Sequence, residues 1–152
     1  MKPFGFPIHG AIDGYSRKVL WLEVSRSNNN PQVIARFFLD YVSECSGCPM
    51  LLRTDCGTEN GTMAAMQSYF RQHGTDPFSA EKSHKFGSSP SNQRIESWWS
   101  VLRRGRFFWL IDLFKGMADT GILDLGNILH KECLWFCFHG VLQEDLNNVR
   151  NH

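Results

Sequence analysis

The sequence lacks a surplus of charge of either sign. Sixteen Lys and Arg stand against fifteen Asp and Glu, for a formal net charge of +1. Bulk charge therefore gives no reason to expect a polyanionic partner, and any nucleic-acid contact has to come from local basic clusters. Long apolar runs are also missing. The stretch from Phe107 to Phe114 is broken by Asp112 and falls far short of the roughly 20 residues that span a bilayer. With no secretory pattern either, no membrane role is expected. The five cysteines are an odd set, which argues against a disulfide framework and for a reduced, intracellular setting. Cys45 and Cys48 form one C-x-x-C without a second pair at zinc-finger spacing. Cys133 and Cys137, one helical turn apart after His130, read as core thiols of an apolar helix rather than as zinc ligands. No internal repeat is present.

What the chain does have is apolar and aromatic content: 42 % of its 152 residues are hydrophobic, with five Trp and twelve Phe. That excludes a disordered segment. The length fits one domain, 1–152, which at this size hides about two-thirds of its unfolded surface. The last apolar periodicity runs to His152 without a stop signal, so the chain reads as a fragment of something longer.

Hydrophobic periodicity divides the chain into elements. Ile8 to Asp13 reads as a strand, with Ile8, Gly10 and Ile12 on one face and His9, Ala11 and Asp13 on the other. Gly14 to Arg17 reads as a turn and Lys18 to Ser25 as the returning strand of a hairpin; a third strand after it has no clear place. Asn30 as N-cap and Pro31 at the first helical position start a helix that buries Val33, Ile34, Phe37, Phe38, Tyr41 and Val42. Met50 to Asp55 suits a buried parallel strand, and Cys56 to Gly61 a polar turn. Thr62 is placed to cap a second helix with Met63, Met66, Tyr69 and Phe70 inward and Gly74 at its end. A short strand is expected near Phe78, and Gly87-Ser88-Ser89-Pro90 reads as a mobile tract. Ser91 or Asn92 starts another helix. Asp124 to Phe138 and Leu142 to Val149 carry helical spacing. This order predicts an α/β fold, a mixed β-sheet flanked by α-helices.

Three acids occupy positions that chemistry can use. Asp13 and Asp55 end predicted strands, where sites form in open α/β sheets. Glu96 lies early on a predicted helix, beside the stripe of Ile95, Trp98, Trp99 and Leu102 and close to Asn92 and Arg103. That spacing puts it at the rim of the core. Hard divalent cations take oxygen ligands, and convergent carboxylates support two-metal phosphoryl transfer. Taken singly, a strand-end Asp is more often a turn-former, and Glu96 also suits an intrahelical charge pair.

Taken together the three segments resemble a family. Ala11-Ile12-Asp13-Gly14-Tyr15-Ser16-Arg17 resembles the first motif of retroviral and transposon integrases. Arg53-Thr54-Asp55-Cys56-Gly57-Thr58-Glu59-Asn60 resembles the second, an Asp followed by a Gly-x-Glu turn. Ser89 to Ser97 resembles the third, with Glu96 on the helix after a loop. The resemblance covers about Ile8 to Leu102 and is nearest to the integrase cores of eukaryotic transposable elements and genes derived from them. Cys56 departs from the usual neighbour of the second Asp, and the aromatic C-terminal part follows the pattern loosely. The resemblance implies an RNase H-like fold and a DDE catalytic core that cuts and joins DNA. It implies two Mg²⁺ or Mn²⁺ ions held by Asp13, Asp55 and Glu96, no other small-molecule cofactor, a homodimer, a nuclear location and separate flanking domains. Asp13 then bridges the metals while Asp55 and Glu96 each bind one. Two other readings stay open: a nuclease that does not join strands, and a domesticated DNA-binding or assembly module without turnover.

Around the acids, Lys82, His84 and Lys85 read either as phosphate contacts or as a solvated loop, and Asn92 and Arg103 as further DNA contacts. Arg103-Arg104-Gly105-Arg106 suits DNA, nuclear import or a solvated helix surface. His9 reads as structural more readily than as part of the site. Glu59 is the best substitute ligand, although such a residue more often braces a turn or caps a helix. Phe107, Phe108, Trp109, Trp135, Phe136 and Phe138 exceed what one small domain easily hides, and they serve either a subunit interface or packing between helices.

Overall fold

A computed structural model describes residues 1–87 and 93–151. Ser88, Ser89 and Pro90, and the expected helix start at Ser91 or Asn92, lie outside the described residues. The chain forms two compact units, one of Met1–Arg26 with Arg94–His152 and one of Ser27–Gln93. Both mix helix and strand, as the patterning predicts, but each holds only a two-stranded sheet among the described residues.

In the first unit β1 (Ile8–Ile12) and β2 (Val19–Val24) form the expected antiparallel hairpin. The register pairs Ile8 with Val24 and Ala11 with Trp21, then shifts between Ala11 and Ile12. No third strand extends β2 among the described residues. Gln143, from α5 (Ile128–Arg150), does part of that work. Its Oε1 accepts from Val24 N at 3.0 Å, and its Nε2 donates to Leu22 O at 3.0 Å. One side-chain amide thus satisfies a donor and an acceptor of a strand edge that would otherwise be bare.

The core of this unit is aromatic. Phe6, Phe114, Leu110, Leu142 and Leu146 are fully buried. Phe6 stacks on Phe114 at 5.8 Å and on Trp135 at 5.2 Å between ring centroids, and Phe138 meets Phe114 edge-on at 4.9 Å. Such pairs add about 0.5–1.5 kcal/mol each beyond area burial. The two helical runs of the C-terminal part are one helix, α5, begun by Asn127, whose side chain accepts from Leu129 N. Asp124 lies before it in a turn. Gly140 costs about 1 kcal/mol inside a helix, but Leu134, Leu142 and Leu146 bury one continuous face across it, so the helix is not interrupted. α4 (Phe108–Asp119) buries Leu110 and Phe114.

α3 (Gln93–Gly105) meets the hairpin at one narrow point. A Cβ on Gly10 of β1 would stand 2.7 Å from a Leu22 methyl and 3.1 Å from both the Trp21 carbonyl oxygen and Trp99 Cη2. Glycine leaves just enough room for the Trp99 ring to lie against the strand. Ile95, Trp98 and Trp99 are half-buried and Leu102 is buried, so the predicted stripe of α3 is the one that packs.

The second unit starts as the sequence indicates. Asn30 accepts from Gln32 N at 2.9 Å and Pro31 opens α1 (Pro31–Cys45), a cap worth about 1 kcal/mol. Ile34, Ala35 and Phe38 are buried along it. β3 (Leu52–Thr54) pairs in parallel with β4 (His84–Phe86), and α2 (Gly61–Phe70) forms part of the crossover. Parallel pairing agrees with expectation, but β3 is short and exposes Arg53.

Four expectations need correction here. Thr62 does not cap α2; the chain enters through a 3₁₀ turn, Thr58–Asn60, and Asn60 holds the cap position. Tyr69 is 65 % exposed, while Gln67 is fully buried in its stead and donates to Pro49 O at 2.6 Å. The helix ends at Phe70 rather than at Gly74. The last strand is His84–Phe86, not a segment near Phe78, whose amide instead donates to the Asp76 carboxylate.

Replacing Gly10 with Ala drives a Cβ into the Leu22 methyl and crowds the Trp99 ring and the Trp21 carbonyl. We expect a loss of about 1–3 kcal/mol, the usual cost of overpacking, read as a lower midpoint in urea unfolding; an unchanged midpoint would show that the contact is easily relaxed.

Candidate catalytic carboxylates

Asp13 follows the last residue of β1 and closes the hairpin turn. Its Oδ2 accepts from Ser16 N and from Ser16 Oγ, both at 2.6 Å. Its main chain brackets the same turn: Asp13 N donates to Lys18 O and Arg17 N donates to Asp13 O. Arg17 takes a left-handed conformation, φ 63°. The Ser16 hydroxyl, then the Ser16 amide, hold the Asp13 carboxyl below the usual carboxylate range; the amides of Tyr15 and Gly14 add to this against a modest desolvation. Donors to the ionised form stabilise it, so Asp13 is an anion well below neutral pH.

Asp55 follows β3 and is exposed. Its Oδ1 accepts from Asn60 Nδ2 at 2.6 Å, and its backbone oxygen accepts from the Thr54 hydroxyl at 3.0 Å. His84 Nε2 lies 3.1 Å from the same hydroxyl. The Thr54 hydroxyl has one proton, so where it goes to Asp55 O the His84 ring donates from Nε2, and where His84 Nε2 is the acceptor Asp55 O gives it up. Burial pushes the His84 pKa down, favouring the neutral ring. Glu59 folds back over Gly57, where any Cβ would collide with its carboxylate.

Glu96 lies in the first turn of α3 and is exposed. The expectation of a core-rim position is corrected: the half-buried residues are its neighbours Ile95, Trp98 and Trp99, and the shift from 95 to 96 is enough to turn the carboxylate outward. Arg103, two turns on, is also exposed and borders a cavity of about 180 Å³ with Lys2, Phe6, Trp99 and Leu102. Lys82 and Lys85 are exposed, with the Lys85 ammonium 5.8 Å from the Phe78 ring centroid. Asn92 lies outside the described residues. Asp13 and Glu96 belong to one unit and Asp55, Lys82 and Lys85 to the other.

Other candidates resolve into plain structure. His9 Nδ1 accepts from Trp21 Nε1 at 3.0 Å and the rings stack, which is the structural role. Cys45, Cys56, Cys133 and Cys137 are exposed and Cys48 is half-exposed. The reading of Cys133 and Cys137 as core filler is therefore corrected; they lie on the outer face of α5. His130 Nδ1 accepts from Asp124 N. Among the described residues no three His, Cys, Asp or Glu side chains form a metal-holding group. The donor chemistry of Asp13, Asp55 and Glu96, hard carboxylate oxygens with Asp13 kept ionised, nonetheless fits Mg²⁺ or Mn²⁺. Two side chains that hold these carboxylates, Ser16 and Asn60, escape sequence reasoning. Ser16 has a signal, Asp followed by Ser three residues on in a turn. Asn60 has none.

Residues 1–152 match the family model described as Integrase core domain. No curated protein and no solved structure matches the chain.

Removing the Ser16 donors tests the electrostatics of Asp13. In Ser16→Ala the Asp13 pKa should rise toward its ordinary value, followed by carboxyl ¹³C shifts on the metal-free protein. The sign of the linked stability follows. A folded-state pKa below the unfolded one contributes stability above the unfolded value of about 3.8 and loses it as pH falls through the folded value. The variant should be less stable at neutral pH and lose less on acidification. An Asp13 titration identical to wild type would dismiss Ser16 as the cause.

Proposed function

The chain belongs to the integrase core domain family, and on that footing we propose that it is a DDE-type polynucleotidyl transferase acting on DNA. Asp13, Asp55 and Glu96 are its catalytic carboxylates, and the fold is RNase H-like. The observation that carries this is a family match over the whole chain that coincides with three acids in family order, two at strand ends and one at a helix start. The three carboxylates would hold two divalent cations. Bound there, the cations supply Lewis-acid activation of an attacking water or DNA 3′-hydroxyl and neutralise charge at the leaving oxygen.

The chain's own residues set the stage for that chemistry. Asp13 is held ionised and fixed in direction by Ser16. Asp55 is fixed through its carboxylate by Asn60 and through its carbonyl by Thr54. Glu96 rides on a helix anchored by Trp99. The exposed Lys82, Lys85 and Arg103, with Asn92, contact DNA; Lys and Arg carry the phosphate contacts that position a duplex without reading its sequence. We also infer a nuclear location, with Arg103, Arg104 and Arg106 as a basic patch, and a homodimer through the apolar surface that α4 and α5 leave bare. Trp135 does not belong to that surface, because it is stacked on Phe6 beneath the Arg26 guanidinium. Trp109, 53 % exposed, and Phe136, 88 % exposed, do.

Asp13→Asn, Asp55→Asn and Glu96→Gln should each lower Mg²⁺- or Mn²⁺-dependent nicking and strand transfer by at least about a hundredfold, the upper range for loss of even a supporting metal partner. Circular dichroism should stay unchanged. Near-normal turnover in any one variant would remove that residue from the site. Nicking without joining in the wild type would identify a nuclease.

Light scattering at tens of micromolar should give twice the chain mass, since a modest interface associates in that range. Trp109→Glu should return the protein to monomer; a dimer indifferent to both Trp109→Glu and Phe136→Glu would place the interface on another surface.

A further inference from the structure

Among the described residues three asparagines occupy helix N-cap positions, and one behaves differently from the other two. Asn30 and Asn127 each turn their side-chain oxygen onto the amide two residues on, and both are exposed. Asn60 caps α2 with no side-chain bond to the helix and is only 4 % exposed. Its amide points the other way along the chain: Nδ2 donates to Asp55 Oδ1 at 2.6 Å and reaches Asp55 O at 3.5 Å. The residue type best suited to capping forgoes the cap and is buried against a carboxylate five residues upstream.

We propose that Asn60 is a positioning residue for Asp55, its buried amide holding the carboxylate in the rotamer that receives a divalent cation; this rests on the reading of Asp55 as a metal ligand. A neutral donor suits the task. An Arg or Lys would pair with the carboxylate and compete with the cation, whereas an amide fixes direction and leaves the negative charge in place. Burial fixes the donor in turn. Asn60 N donates to Gly57 O, so the turn that carries Asn60 is closed by its own backbone. The Thr54 hydroxyl, touched by His84 Nε2, holds the carbonyl of the same aspartate. Asp55 is therefore held at two points, its carbonyl and its carboxylate.

The test compares wild type with Asn60→Ala and Asn60→Ser. Ser keeps a residue suited to a helix start but withdraws the donor from Asp55, so it separates positioning from a merely structural role. Two quantities are read. Three-bond couplings across the Asp55 Cα–Cβ bond report the rotamer in metal-free protein, and calorimetric titration with Mn²⁺ reports affinity. In both variants Asp55 should pass from one rotamer to an average, and Mn²⁺ should bind about tenfold more weakly, while Asn60→Ser melts close to wild type. A single unchanged rotamer with unchanged affinity in Asn60→Ser would overturn the role of Asn60 and leave the assignment of Asp55 intact. Asp55→Asn, titrated in parallel, tests that assignment separately; undiminished Mn²⁺ binding there would overturn both.

Discussion

The close approach of Trp99 to the backbone of β1 at Gly10 is the constraint on which the placement of the acids in the first unit depends. Asp13 is three residues beyond Gly10 on the strand, and Glu96 is one turn before Trp99 on the helix. A side chain at position 10 would meet the Leu22 methyl at 2.7 Å and the tip of Trp99 at 3.1 Å, so the glycine is what lets the helix that carries Glu96 lie this close to the strand. The contact is backbone to ring, so it sets distance more sharply than a meeting of two flexible side chains would. The rest of the unit supports it. Leu22 lies on one side of Gly10 and is held in turn by the aromatic core of α4 and α5 and by the Gln143 amide on β2.

The two aspartates are oriented by different means from the helix acid. Each is fixed by a donor a few residues away, Ser16 for Asp13 and Asn60 for Asp55. Short-range bonds of this kind form with the turn itself and need no distant partner, so both carboxylates are pre-arranged within their own segments. Glu96 gains its place only through packing. The hairpin and the β3 turn thus carry local order, whereas the helix acid depends on the assembled core.

Much of this was legible in sequence because it is local. The Asn30-Pro31 helix start, the hairpin with its turn at Gly14 to Arg17, and the Ile95-Trp98-Trp99-Leu102 stripe all follow from capping chemistry and periodicity. The failures are where two local signals competed. Thr62 is a good cap residue, but the 3₁₀ turn before it already places Asn60 at the helix start. Tyr69 fits the apolar face of α2, yet Gln67 is buried because the Pro49 carbonyl needs a donor there. Periodicity sees hydrophobicity and not the carbonyl that a buried amide must satisfy. β4 was hidden because three residues are too few to show alternation, and its partner β3 is some thirty residues away.

By itself the sequence determined the mixed helix-and-strand class, the order of the three acids and their family, because motifs and helix starts depend on neighbours along the chain. Tertiary structure alone decided what depends on distant surfaces. It turned Glu96 outward, brought Gln143 to the edge of β2 and left Cys133 and Cys137 outside the core. The physical reason is that burial and hydrogen-bond satisfaction are properties of space. A residue's partners are set by which surfaces meet, and a pattern along the chain cannot count donors and acceptors that arrive from more than a hundred residues away, as Gln143 does at Val24.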